Sequence, residues 1–228
     1  MPATESTRRT ALWTGIAYLG IVASGLFAEL FVRASLVVPG DAAATGSCIA
    51  ASPGLFGAGV GADALMIALD VGVAFGLFRL LRGFDRRLAL AATAFRLVQA
   101  AILAGNTFAV TRALGFAEAG QDGRALAAME LHALVYDVGL IAFGLACVTL
   151  GRLLRRAKAG PRLIALGLSA TGVVYLVGSF AAVFAPSVSA ALDPFYGIAI
   201  VVEPAVAIWL IVVGSRRATP PASALAHA

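Results

Sequence analysis

The chain has 228 residues, of which 61% are hydrophobic and only 13% are charged, and its mean hydropathy is +0.94. These values exclude a soluble globular domain and predict an all-α, polytopic membrane protein whose main partner is the lipid bilayer. The net charge of +5 comes from basic residues that flank apolar runs, so we expect no nucleic-acid partner.

Six apolar runs are long enough to cross the hydrocarbon core, which requires about 20 residues per helix. They cover approximately residues 11–33, 55–81, 88–114, 125–151, 161–185 and 194–214. We therefore predict a six-transmembrane-helix bundle over residues 11–217. A cytoplasmic segment over residues 1–10 precedes the bundle, and a disordered cytoplasmic tail over residues 218–228 follows it.

The distribution of basic residues predicts the orientation of the bundle. Most of the 17 basic residues fall at one end of the predicted spans, and the exceptions are Arg33, Arg96, Arg112 and Arg124. Because basic residues concentrate on the cytoplasmic side of a membrane, we predict that both termini are cytoplasmic.

The first run is predicted to be a retained span. Its apolar stretch from Ala11 to Ala28 is longer than the roughly 7–15 residues of a cleavable signal peptide. Helical spacing places Tyr18 and Glu29 on one stripe of this span. The segment over 34–54 that follows is predicted to be an outer loop with a turn at Pro39. Both a lid over the outer mouth and a simple connector fit this loop.

The second and third spans carry acids and a buried arginine. Asp63 and Asp70 are seven residues apart and therefore share one helix face, and the third span carries Arg96, Gln99 and Asn106 on one stripe. Asp70 and Arg96 lie at similar depth, which predicts an ion pair that holds the two helices in register. Gly57 and Gly61, in the second span, are predicted to be sites of close helix packing.

Polar residues continue through the last three spans. In the fourth span Glu130 and Asp137 share one face, whereas His132 and Tyr136 point to the opposite side, which predicts a central position for this helix. Tyr175 lies in the fifth span. The sixth span carries Tyr196 and Glu203, and Pro204 is expected to loosen the helix beside Glu203.

Intramembrane acids outnumber intramembrane bases. Each charged side chain at the centre of a span costs about 2.5–3.5 kcal/mol to insert, so we expect these groups to face the bundle interior. Four of them are predicted to converge as a ligand- or proton-binding site: Glu29, Asp63, His132 and Glu203. The predicted secondary polar lining consists of Tyr18, Gln99, Asn106, Tyr136, Asp137, Tyr175 and Tyr196.

Three functions are consistent with this set. The first is a small transporter or ligand-binding membrane protein in which the carboxylates exchange protons or a cationic ligand. The second is an intramembrane enzyme in which Glu29, Asp63, His132 and Glu203 hold a metal that activates water. The third is a structural partner protein whose polar groups only specify helix packing. The sequence indicates neither a cofactor nor an oligomeric state.

Two segments carry a resemblance to a known family. The stretch Ala28–Arg33 running on through Val38–Thr45, together with Phe95–Leu103, resembles the bacterial multi-pass family called domain of unknown function 4386. The likeness extends over nearly the whole chain. It implies a bacterial integral protein of the cytoplasmic membrane with a similar number of helices, and it implies no activity, substrate or cofactor.

Overall fold

The structure is a computed structural model that describes residues 4–216, apart from the side chains of Ala190 and Asp193. The tail predicted over 218–228 lies outside the described residues. Within them all regular secondary structure is helical, and six helices are long and apolar enough to cross a membrane. The prediction of an all-α chain with six spans is therefore confirmed.

The helices are, in chain order, α1 (Glu5–Leu26), α2 (Ala34–Leu36), α3 (Ala42–Ala51), α4 (Pro53–Leu81), α5 (Arg86–Glu118), α6 (Asp122–Ala157), α7 (Arg162–Phe184), α8 (Pro186–Leu192) and α9 (Gly197–Ser215). A π-helical segment (Phe27–Arg33) joins α1 to α2, and these three form one continuous first span. A 3-10 turn (Asp193–Tyr196) leads into α9, which forms most of the sixth span.

Local sequence signals mark where the spans begin and end. Asp85 accepts hydrogen bonds from the backbone N–H groups of Arg87 and Leu88, each at 3.1 Å, and so caps the start of α5. Lys158 ends α6 in the left-handed conformation, with φ of 48°. Pro161 then precedes the first residue of α7. These signals keep the connections between consecutive spans short.

The six spans form a closed ring. Each long helix packs against the next one along the chain, and α1 also packs against α9, which joins the last span to the first. Two glycines allow close approach of backbones. A Cβ atom on Gly15 would lie 2.6 Å from the carbonyl oxygen of Ala207, and one on Gly172 would lie 2.6 Å from that of Gly144. The pairs α1/α9 and α6/α7 therefore have small-residue contacts typical of membrane helices.

The two ends of the ring differ. We call the end where α1 begins and α9 finishes the termini end, and the opposite end the α3 end. The segment predicted as an outer loop forms α3, which starts at the N-cap residue Asp41. Ile49 in α3 packs with Val32, Phe56 and Met129 in a compact apolar cluster. This cluster fills the α3 end between the first four spans.

The glycines of α4 pack differently from the prediction. Apart from the adjacent backbone of α4 itself, no atom of residues 4–216 lies within 4 Å of a Cβ built on Gly57 or Gly61, so their assignment to close packing is wrong. Gly59 makes the close contact instead, because a Cβ there would lie 2.8 Å from Cγ1 of Val32. Gly59 is two residues from both Gly57 and Gly61, and residues two apart on a helix point about 200° apart. The face of α4 that carries Gly59 therefore meets the first span, and Gly57 and Gly61 point away from it.

Candidate functional site

A cavity of about 320 Å³ lies inside the ring, and all six spans contribute to its wall. Seven polar side chains line it: Glu29, Asp70, Gln99, Tyr136, Tyr175, Tyr196 and Glu203. Six other residues from the predicted site set lie outside this lining: Tyr18, Asp63, Arg96, Asn106, His132 and Asp137. The volume is at the lower end of the range for small-molecule pockets, about 300–1,000 Å³.

Glu203 is the acid at the deep end of the cavity. Its residue is only 8% exposed, and the Tyr175 hydroxyl donates a hydrogen bond of 2.6 Å to Oε1. Within residues 4–216 no Lys, Arg or His nitrogen lies at ion-pair distance from its carboxylate. A buried carboxylate in apolar surroundings requires a neutralising partner, so Glu203 needs either a proton or a cation that enters the cavity.

Aromatic rings stand beside this carboxylate. The rings of Phe143 and Tyr175 have centroids 5.5 Å apart, and those of Tyr175 and Tyr196 are 5.7 Å apart. The hydroxyl of Tyr196 lies 3.2 Å from Oγ of Ser179, which fixes the position of its ring. Tyr136 adds a further ring to the wall. Several aromatic rings around a negative charge form a typical recognition site for organic ammonium ions.

Asp70 and Arg96 come together between α4 and α5. Nη2 of Arg96 donates a hydrogen bond to Oδ1 of Asp70 in an ion pair that is almost fully buried. The guanidinium carbon of Arg96 also lies 5.1 Å from the ring centroid of Tyr18 and 4.9 Å from that of Phe143. Arg96 is therefore held by one carboxylate and two rings, and this arrangement fixes the second and third spans to each other.

Two acceptors in the cavity lining have no hydrogen-bond partner in the described residues. They are Oδ2 of Asp70 and Oε1 of Gln99, both fully buried. Because both atoms are shielded from solvent-sized molecules in this arrangement, a molecule in the cavity does not bond to them. They remain exceptions to the rule that buried acceptors are satisfied by protein or water.

Glu29 and Asp63 belong to a second cluster toward the α3 end, which adjoins the cavity at Glu29. Arg33 donates two hydrogen bonds to Asp63, at 2.9 and 3.1 Å, and one of 2.7 Å to Glu29. The predicted first run ended at Arg33, whereas the first span continues to Leu36 and keeps Arg33 within the helix. The backbone N–H of Ala34 bonds to the carbonyl of Glu29, five residues earlier, within the π-helical segment.

The four residues predicted to converge are only partly brought together. Arg33 pairs with both Asp63 and Glu29, which leaves one negative charge in excess, and Glu29 shares the cavity lining with Glu203, which bonds to Tyr175. His132 is buried near the Arg33 cluster and its ring contacts Tyr136. In residues 4–216 no group of three or more His, Cys, Asp or Glu side chains is placed to share a metal ion. The predicted four-residue metal set is therefore not brought together in the described residues, and Arg33 bonds to two of its carboxylates.

Three more of the predicted residues, Asn106, His132 and Asp137, lie on α5 and α6 outside the cavity lining. The side-chain amide of Asn106 donates a hydrogen bond of 2.9 Å to the carbonyl oxygen of His132 and so connects α5 to α6. Nδ1 of His132 is buried and has no partner among the described side chains and backbone. Asp137 is half-buried on α6, outside the cavity lining.

Comparisons with known proteins agree with the resemblance seen in the sequence. The family described as Domain of unknown function (DUF4386) matches the chain over residues 13–214, which covers all six spans almost completely. No curated protein and no solved structure matches the chain.

Proposed function

We propose that this chain, which belongs to the DUF4386 family, is a membrane protein that binds a small organic cation in its central cavity, as a transporter or ligand-binding protein. The observation that carries the proposal is Glu203, a buried carboxylate that lines a cavity and has a hydroxyl partner but no cationic one in the described residues. The Asp70–Arg96 pair lies in the same wall and has a structural role, because each group already neutralises the other.

The aromatic side chains support an organic cation over a small metal ion. Tyr175, Tyr196, Phe143 and Tyr136 stand around the deep end of the cavity, and a cation over an aromatic face gains roughly 0.5–2 kcal/mol. A hard metal ion prefers several oxygen ligands at close range, whereas an alkylammonium ion is held by one carboxylate and ring faces. A proton neutralises Glu203 when the cavity is empty, and the ligand replaces it.

We further propose that the termini end faces the cytoplasm of a bacterial cell and that the chain resides in the cytoplasmic membrane. The support is the concentration of basic residues at that end, including Arg79, Arg82, Arg152 and Arg155. In this orientation the α3 end is extracytoplasmic.

Tetramethylammonium is the probe that tests the proposal. We expect the purified protein to bind it by isothermal titration calorimetry. The variant Glu203→Gln should bind it roughly tenfold to hundredfold more weakly, because opposite unit charges about 5 Å apart attract by about 3 kcal/mol at an effective dielectric constant of about 20. The thermal stability of the empty variant should equal that of the wild type, since Gln is as neutral as protonated Glu203, fills the same space and can accept the hydrogen bond from Tyr175.

The matched control is Glu130→Gln, the same change at an exposed position of α6, which should bind tetramethylammonium as tightly as the wild type. Absence of binding to the wild type, or equal affinity in all three proteins, would refute the proposed cation site.

A further inference from the structure

The cavity is closed at the termini end and open on one side. Near the termini end, α1 and α9 touch at Gly15 and Ala207. Toward the α3 end the cavity lies in the gap between these two spans, because Val22 and Leu26 of the first span and Ala199 and Ile200 of the sixth line it.

Exposed residues at this gap also line the cavity. The side chain of Glu29 is 64% exposed, and Leu30 and Ile200 are 59% and 57% exposed. All three belong to the cavity wall. The cavity therefore reaches the surface between the first and sixth spans. We call this gap the side opening and define it by Val22, Leu26, Leu30, Ala199 and Ile200.

The side opening lies at the depth of the lipid chains. At 1.5 Å per residue, Ile200 lies about 7 Å from the midpoint of the sixth span, and Glu29 lies about 13 Å from the midpoint of the first span. Half of the hydrocarbon core is about 15 Å. By the same estimate Glu203 lies within about 3 Å of the midpoint of the sixth span. A molecule that passes through the side opening therefore comes from the bilayer and moves inward to reach Glu203.

The lining changes from apolar to polar along this path. The five residues of the side opening are aliphatic, and the one acid beside them, Glu29, is paired with Arg33. The deep end instead carries the carboxylate of Glu203, which has no cationic partner in the described residues. A cavity of about 320 Å³ holds a headgroup and the first part of a chain, and a longer alkyl chain has to extend out through the gap. A cation with one hydrocarbon chain fits this path, because its charged group suits the polar deep end and its chain suits the aliphatic side opening.

We infer that the ligand is a single-chain cationic amphiphile that enters from the bilayer through the side opening, with its ammonium group at Glu203 and its chain between the first and sixth spans. This inference rests on the proposed function, because Glu203 and the surrounding rings are the binding site for the headgroup.

The test compares tetramethylammonium with hexyltrimethylammonium on the full chain in lipid nanodiscs, by calorimetry. Each methylene buried contributes about 0.8 kcal/mol, so the hexyl compound should bind at least tenfold more tightly. In Ile200→Trp, which fills the side opening, the ratio of the two affinities measured in this variant should fall below threefold. Leu65→Trp is the control, since Leu65 is an exposed apolar residue of α4 outside the cavity lining, and it should retain the full gain.

The outcomes separate the two proposals. One outcome is that tetramethylammonium binds and requires Glu203, but the hexyl chain adds no affinity or Ile200→Trp keeps the gain. The side opening is then not the path of the chain, and the inference is overturned while the cation site stands. If neither compound binds the wild type, the proposed function fails and the inference fails with it.

Discussion

Replacing Asp70 with asparagine should lower the free energy of unfolding by about 3–5 kcal/mol, the range seen when one partner of a buried ion pair is removed. Arg96 is only 2% exposed, and Asp70 is its sole carboxylate partner at ion-pair distance within residues 4–216. Nε of Arg96 already lacks a hydrogen-bond partner in the same region. The variant would therefore leave a charge in the bundle with only the rings of Tyr18 and Phe143 beside it.

A double-mutant cycle checks this pair by denaturant unfolding in detergent. Asp70→Asn with Arg96→Gln should be destabilised by less than the sum of the two single variants, with a coupling of about 0.5–3 kcal/mol. The control is Asp41→Asn, since Asp41 is an exposed N-cap residue and Asn caps equally well. Strictly additive losses, or a loss for Asp70→Asn no greater than for Asp41→Asn, would contradict a structural role for the pair.

Removal of Arg33 should have an effect of similar size. In Arg33→Gln the carboxylate of Asp63, whose side chain is 3% exposed, loses both hydrogen bonds from the guanidinium group and stays buried without a cation. We expect a loss of about 3–5 kcal/mol in the free energy of unfolding. Asp63→Asn introduced in the same chain should recover part of it, because the uncompensated charge is then gone.

Arg112→Gln is the matched control for Arg33, since Arg112 is exposed at the same end of the bundle. Surface changes of this kind usually stay within about 0.5 kcal/mol, and the same unfolding measurement applies. Equal stability of Arg33→Gln and Arg112→Gln would show that the cluster of Arg33, Asp63 and Glu29 does not stabilise the first and second spans.

The sequence was sufficient to predict the six spans, because membrane insertion depends on local properties, namely the length and apolarity of each run. It was less informative at Arg33, where the apolar run ended but the helix did not. One signal was available there. Glu29 and Arg33 are four residues apart, the spacing at which oppositely charged side chains on one helix meet. That spacing favoured a helix that continues through Arg33 over a loop that begins there.

The helix α3 could also have been recognised. Asp41 stands before a small-residue apolar stretch from Ala42 to Ala51 and accepts a hydrogen bond from the backbone of Ala44. An acid at this position is a common helix start. The stretch was treated as a loop because ten residues are too few to span a bilayer, although they are enough for a helix that covers one end of the bundle.

Helical periodicity could not predict which polar residues from different spans meet at the site. Helical spacing places Asp63 and Glu203 on interior faces, but it does not specify which neighbour each face meets. Phe143 had no distinguishing signal, since a phenylalanine in an apolar span resembles any other core residue. Its role beside Arg96 and Tyr175 became visible when the ring of helices was assembled.

The most direct test of the central claim, that the cavity binds an organic cation through Glu203, is a calorimetric comparison of choline with its uncharged tert-butyl analogue. The two molecules have nearly the same shape and differ in charge. The account predicts that the wild type prefers choline by at least roughly tenfold, and that this preference disappears in Glu203→Gln. Equal affinity of the wild type for both molecules would contradict the account, because shape and apolar contact would then explain the binding without the carboxylate.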